Sequence, residues 1–137
     1  MGKQFVNKTD FENFKRRQSQ RFKTEIIEDW NAPALLNAWV NYNAATHTSA
    51  GYYRDPLGVV HLRGTVKNGT TTPGTILFAL PSGYRPATNI YIYGLSTDGA
   101  TVWLVWYFID TSGNVRIGGT VNNFLVSFDG GSFRAEQ

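Results

Sequence analysis

Residues 101–109 read TVWLVWYFI, from Thr101 to Ile109. The run has no glycine or proline and is dense in β-branched and aromatic residues, so it predicts a strand. Alternation puts Val102, Leu104, Trp106 and Phe108 on one face, where all four could meet a core. Trp103, Val105, Tyr107 and Ile109 fall on the other face, and they are apolar or aromatic too. An antiparallel strand with one wet face does not read this way. A second layer, a helix or a neighbouring subunit must cover what the core does not. Subunit contact is attractive because Trp and Tyr are enriched at interfaces. Left open, the face would exceed the apolar patch a monomer usually shows.

Turn signals bracket this strand and continue outward. Asp98-Gly99 precedes it, and Asp110-Thr-Ser-Gly-Asn114 closes a hairpin onto Val115–Thr120. Upstream lie Thr75–Leu80, the proline-framed corner Ala79-Leu-Pro-Ser-Gly-Tyr-Arg-Pro86, and Asn89–Leu95. Earlier candidates are Ala38–Tyr42, Gly51–Arg54 before the Asp55-Pro-Leu-Gly58 turn, and Val59–Lys67, with Val60, Leu62 and Val66 on one face. Asn123–Phe128 and an Asp129-Gly-Gly131 turn complete about eight strands. Connections this short leave no room for crossover helices, so pairing is antiparallel. The expected fold is mainly β, an antiparallel sandwich of jelly-roll type.

The first thirty residues are different. Thr9-Asp10-Phe11-Glu12 fits a capping box with Thr9 as N-cap, and Asp10–Asp29 lacks glycine and proline. Phe11, Phe14, Phe22, Ile26 and Trp30 fall within roughly 160° of a helical wheel, with Gln18 interrupting the stripe. Asn31-Ala32-Pro33 ends the helix. The division expected is an N-terminal attachment or oligomerisation helix over 1–30 and a β-sandwich over 31–137. Whether the helix forms a stalk or packs on its own domain stays open at this level.

Composition removes several function classes. There is no cysteine, which excludes disulfides and thiolate metal sites, and His47 and His61 do not have the spacing of a zinc motif. No metal or cofactor is expected. No stretch of 18 apolar residues exists for a membrane span, and the N-terminus does not read as a signal peptide, so synthesis in a cytoplasm is expected. The net charge is only +3, and the Lys15-Arg16-Arg17 cluster is followed by Glu25, Glu28 and Asp29, so nucleic acid is not an expected partner.

Catalytic patterns are missing as well. Beyond residue 29 the carboxylates are Asp55, Asp98, Asp110, Asp129 and Glu136, four of them in turn contexts that explain them. His61 has no nucleophile motif beside it, and no nucleophile elbow or phosphate loop occurs. An enzyme is not expected. Amphipathic rings are abundant instead. Tyr91, Tyr93, Trp103 and Tyr107, with Arg85 as a polar partner, are the candidate contacts for a glycan or an interface.

Three stretches carry a family resemblance: Trp39-Val-Asn-Tyr42, Ala50-Gly-Tyr-Tyr-Arg-Asp-Pro-Leu-Gly-Val-Val-His-Leu-Arg-Gly64, and Gly74-Thr-Ile-Leu-Phe-Ala-Leu-Pro-Ser-Gly-Tyr-Arg-Pro86. They resemble the β-rich C-terminal, receptor-binding-type domains of structural proteins from tailed bacteriophages, especially siphophages of Bacillus and related Gram-positive hosts. The resemblance covers roughly residues 30–128 and implies a compact β-sandwich, often homotrimeric, carried on a stem and displayed on the virion. Its partners would be other phage tail or appendage proteins, with host cell-wall polysaccharide or teichoic acid as ligand in some relatives. The function it implies is host adsorption or tail architecture. The alternative is a carbohydrate-binding module without a structural role.

Overall fold

A computed structural model describes residues 7–24 and 27–136 of the chain, with the side chains of 18–24 left undescribed. Among these described residues are one helix, α1 (Lys8–Thr24), and ten strands. They are β1 (Val40–Asn41), β2 (Gly51–Arg54), β3 (Val59–Arg63), β4 (Thr65–Lys67), β5 (Ile76–Ala79), β6 (Ile90–Thr97), β7 (Val102–Ile109), β8 (Asn114–Ile117), β9 (Leu125–Ser127) and β10 (Ser132–Arg134). Seven form one sheet in the order β1-β4-β9-β6-β7-β8-β5, and three form a second, β10-β3-β2. Every strand pairing is antiparallel. The large sheet curls into a half-barrel, and the mainly β, sandwich-like fold follows an N-terminal helix, as expected.

The stretch Val59–Lys67 reads as one strand and is in fact two. Gly64 has φ +146° and breaks it, sending β3 into the small sheet and β4 into the large one. Val60, Leu62 and Val66 are buried on the inner side of this fold-over, as their alternation predicts. The Gly64 N–H donates to Asp129 Oδ1 at 2.7 Å, and its carbonyl accepts the Phe128 N–H at 3.0 Å. The two sheets are therefore stitched at one residue. The core between them centres on Phe78, Tyr107 and Phe128, whose rings lie 5.6 and 5.9 Å apart in the Phe78–Phe128 and Tyr107–Phe128 pairs.

Several boundaries differ from the sequence reading for local reasons. Asn37 and Ala38 adopt left-handed φ of 57° and 70°, so the Ala38–Tyr42 strand shrinks to two residues. Trp39 is buried across Gly69, where a Cβ would lie 2.0 Å from the indole. An unexpected strand, β10, pairs Phe133 with Val60 after the Gly130-Gly131 turn. The cap of α1 is Asn7, whose Oδ1 accepts the Asp10 N–H at 2.9 Å; Thr9 sits inside the first turn. Asn is as effective a cap as Thr, and its position decides the start. Residues 27–30 are not helical, so Trp30 leaves the expected stripe. Its ring meets Tyr53 edge-on at 4.5 Å and lies under the Arg63 guanidinium at 4.4 Å. Phe11 and Phe14 belong to a helix none of whose described residues joins the core. Ile26 and the side chains of Gln18 and Phe22 lie outside the described residues.

The corner Ala79–Pro86 anchors the segment that enters from the helix. Gly83 takes φ +93°, and its carbonyl accepts Arg54 Nη1 at 2.8 Å. Tyr84 donates its hydroxyl to Glu28 Oε2 at 2.7 Å, while Glu28 Oε1 accepts the Arg54 N–H at 2.6 Å. The hydrogen bond to Glu28, aided by burial, raises the ionisation of Tyr84 above the ordinary tyrosine range. One glutamate thus ties the incoming chain to the end of β2 and to the corner.

Tyr107 is fully buried and donates its hydroxyl to the Ser127 carbonyl at 2.9 Å. Gly94 leaves the room, since a Cβ there would stand 2.1 Å from that carbonyl oxygen. Burial pushes the phenol far above its ordinary ionisation range. Unfolded tyrosine ionises first, so this group's stabilisation is intact below about pH 10 and falls as pH rises beyond it. Tyr107→Phe is expected to cost about 1–2 kcal/mol in urea denaturation at neutral pH. It should also flatten the alkaline decline; an unchanged midpoint and an unchanged decline would refute the assignment.

Candidate functional site

The hairpin β6–β7 builds a broad apolar surface. Its Asp98-Gly99 turn sets Thr97 opposite Val102, and the register then pairs Leu95 with Leu104, Tyr93 with Trp106, and Tyr91 with Phe108. Directly opposed residues share a face. The inner face of the hairpin carries Ile92, Ser96, Val105, Tyr107 and Ile109, all buried. The outer face carries the other set. Leu104 is 75% exposed, Val102 64%, Tyr93 62% and Tyr91 57%. Of the two apolar faces read in residues 101–109, the core takes the odd-numbered one. The chain leaves the even-numbered one open.

This face is chemically divided along its length. Near the Asp98-Gly99 turn it is aliphatic, with Val102, Leu104 and Leu95. At the other end it is aromatic and shaped. Tyr91 stands edge-on to Trp106 at 5.2 Å and 77°, and tilts toward Phe108 at 5.5 Å and 59°. A cleft of about 300 Å³ opens there, lined by Tyr91, Trp106, Phe108, Arg116, Gly74 and Gly118. A second hollow of about 250 Å³ lies between Tyr91, Tyr93 and Trp106. The floor needs glycine at position 118, because a Cβ there would fall 1.8 Å from the Trp106 ring. Strand β8 ends at Ile117, short of the expected Thr120.

Arg116 forms the polar wall, and its position is fixed from two sides. Its Nε bonds Asp110 Oδ2 at 3.2 Å, and its Nη1 donates to the Gly74 carbonyl at 3.0 Å. Asp110 is itself held by the Ser112 and Asn114 N–H groups. Burial opposes ionisation of this carboxyl, but the hydrogen bonds from Asn114 and Arg116 outweigh it and hold Asp110 below the usual carboxylate range. The guanidinium charge is therefore largely balanced inside the wall.

The sequence-derived candidates separate. Tyr91 and Tyr93 lie together on the outer face. Tyr107 does not, and as a surface contact it is corrected: it points inward and is sealed by Phe128. Trp103 shares that inner side, half-buried, with its Nε1–H given to the Thr120 carbonyl at 3.0 Å. Arg85 belongs to the corner, where its Nε donates to the Leu80 carbonyl at 3.0 Å, and it takes no part in the cleft. Trp106, Phe108 and Arg116 are the contributors that single-residue reasoning missed. Counting register from the Asp98-Gly99 turn would have found the first two.

His61 bonds Asp55 Oδ2 at 2.9 Å and stacks on Tyr53 at 4.7 Å. The bond from His61 and the N–H groups of Val59 and Leu57 hold the Asp55 carboxyl low. This pair stiffens the Asp55–Gly58 turn, and Ser132 stands opposite His61 in the β3–β10 register. Among the described residues there is no group of three or more His, Asp or Glu able to hold a metal. No helix among them is long and apolar enough to cross a membrane.

No family model matches the sequence, and no curated protein does. Among solved structures, the crystal structure of the receptor binding protein (gp15) of Listeria phage PSA is similar, with a TM-score of 0.64 over 99% of this chain and 83% of that one. Sequence identity is 17%, so the likeness is one of fold. The two chains share a β-rich fold.

Proposed function

We propose that the chain is a phage virion structural protein of the tail, baseplate or an appendage, serving host-surface adsorption as a homotrimer. The observation that carries the reading is the bare outer face of β6–β7 in a chain whose fold is that of a phage receptor binding protein. A soluble monomer rarely keeps so continuous an apolar surface, and such patches mark interaction sites. The aliphatic end suits sister chains; the aromatic end suits a ligand. The role is binding rather than catalysis, its partners being other tail proteins and the host surface, and its location the virion.

Antibody against this protein, applied to purified virions and viewed by negative stain, is expected to decorate the tail tip, baseplate or an appendage. Particles that stay unlabelled, with the protein found only in the unassembled fraction, would remove the virion role. The second reading, a free carbohydrate-binding module, is favoured by the aromatic cleft alone and would then stand in its place.

A further inference from the structure

We infer that Asn68 is a self-modification site, where the folded chain converts its own asparagine to aspartate and isoaspartate, with water as co-reactant and ammonia as product. The reaction needs an asparagine with a free carboxamide, a following backbone nitrogen that is unbonded, and a following residue with no Cβ to block the approach. Asn68-Gly69 is the one Asn-Gly pair in the sequence, and it lies just past the end of β4. Asn68 is exposed and takes a left-handed φ of 69°, a conformation asparagine adopts more readily than most residues. Among the described residues, every other asparagine except Asn123 ties its carboxamide into a hydrogen bond. Asn123 is followed by the bulky Phe124. The Asn68 N–H donates to the Asn123 carbonyl at 2.8 Å, and the Thr70 N–H to the Asn37 carbonyl at 3.1 Å. Between them, the Gly69 N–H has no acceptor among the described residues.

The step balances without an oxidant or a reductant. The Gly69 nitrogen, once base has taken its proton, bonds to Asn68 Cγ. The Cγ–Nδ2 bond breaks, ammonia leaves, and a five-membered imide closes. Water then opens the ring. Cleavage between Cγ and the nitrogen restores the ordinary chain as aspartate. Cleavage on the other side routes the backbone through Cβ and Cγ and gives isoaspartate, which lengthens the chain by one C–C bond, about 1.5 Å. The packing around Gly69 makes that increment matter. Gly69 is buried against the Trp39 indole, which already fills the space a Cβ would take. Trp39 is buried too, and its Nε1–H has no hydrogen-bond partner among the described residues, so contact alone holds the ring. A close-packed interior has no slack for a shift of this size. Displacing Gly69 therefore unseats Trp39, the residue that leads into β1, and loosens the β1–β4 edge of the large sheet. The chain thus carries a slow, one-way switch on a sheet edge that takes no part in the β6–β7 cleft.

The test incubates the full native chain in mildly alkaline buffer and follows it by peptide mapping in a mass spectrometer. Asn68 is expected to gain one mass unit first, at least about tenfold faster than any other asparagine. The isoaspartate fraction, separated by chromatography, should unfold about 5 °C or more below the starting protein, with the Trp39 indole N–H resonance displaced. Asn68→Gly keeps the left-handed φ and removes the carboxamide, so the same incubation should leave its midpoint unchanged. Asn68→Asp brings the charge without the extra bond and should unfold close to the starting protein. Four results would each overturn the assignment. They are conversion at another asparagine first, conversion at Asn68 only when urea is added, an isoaspartate fraction as stable as the starting chain, and an Asn68→Asp chain as unstable as that fraction.

Discussion

Gly64→Ala is expected to lower the unfolding free energy by about 3 kcal/mol or more, and the midpoint of thermal unfolding by about 10 °C. Two independent costs meet at this position. At φ +146° an L side chain is strained by roughly 1–3 kcal/mol. The new Cβ would also stand 2.7 Å from the Ala50 Cα and 2.7 Å from Phe128 Cζ, one a backbone atom and the other a ring at the centre of the core. Neither can yield without moving the place where both sheets meet, and overpacking of this sort costs roughly 1–3 kcal/mol. Gly130→Ala is the matched comparison. Its φ is +84°, but nothing lies within 4 Å of an added Cβ, so only the conformational strain remains. Equal losses in the two variants would mean that Gly64 is merely a flexible link and not a packed hinge.

The strand content and its antiparallel pairing were legible because turns such as Asp98-Gly99 and Asp110–Asn114 are encoded by residues within reach of one another. The splitting of Val59–Lys67 was not. Alternation continues unbroken through Gly64, and what bends the chain there is contact with Ala50, Phe128 and Asp129, the last of them 65 residues away. Strand β10 was hidden for a similar reason, since Ser132-Phe-Arg134 becomes a strand only by finding Val60. The site was half legible. In β6, Ile90 and Ile92 alternate with Tyr91 and Tyr93, which already suggests tyrosines outward. Cross-strand register then forces Trp106 outward with Tyr93 and sends Tyr107 in with Ile92. Apolarity on both faces of β7 concealed that choice, because hydrophobicity by itself cannot say which side a core will take. Arg116 could be placed only from the β7–β8 pairing, which sets it opposite Phe108.

Leu104→Glu should convert the proposed homotrimer to single 15.3 kDa chains without unfolding them, as read by light scattering behind size exclusion across micromolar concentrations. Leu104 is the most exposed large side chain of the outer face and has Leu95 opposite it and Val102 beside it. Full burial of each such side chain contributes roughly 1.5–3 kcal/mol, so in the proposed homotrimer the aliphatic end would supply much of the contact between neighbours. A carboxylate at 104 removes one of these contributions and brings three like charges toward that axis. The combined loss of about 3 kcal/mol or more per contact corresponds to a weakening of roughly a hundredfold or greater. The fold should not notice, because Leu104 lies outside the core and exposed substitutions usually change stability by no more than about 0.5 kcal/mol. Leu57→Glu supplies the comparison. That leucine is more exposed still, yet it sits alone on the Asp55–Gly58 turn, so charging it should leave the mass unchanged. A wild-type chain that is monomeric at every concentration, or a Leu104→Glu chain that still assembles, would show that sister subunits do not cover this end of the sheet.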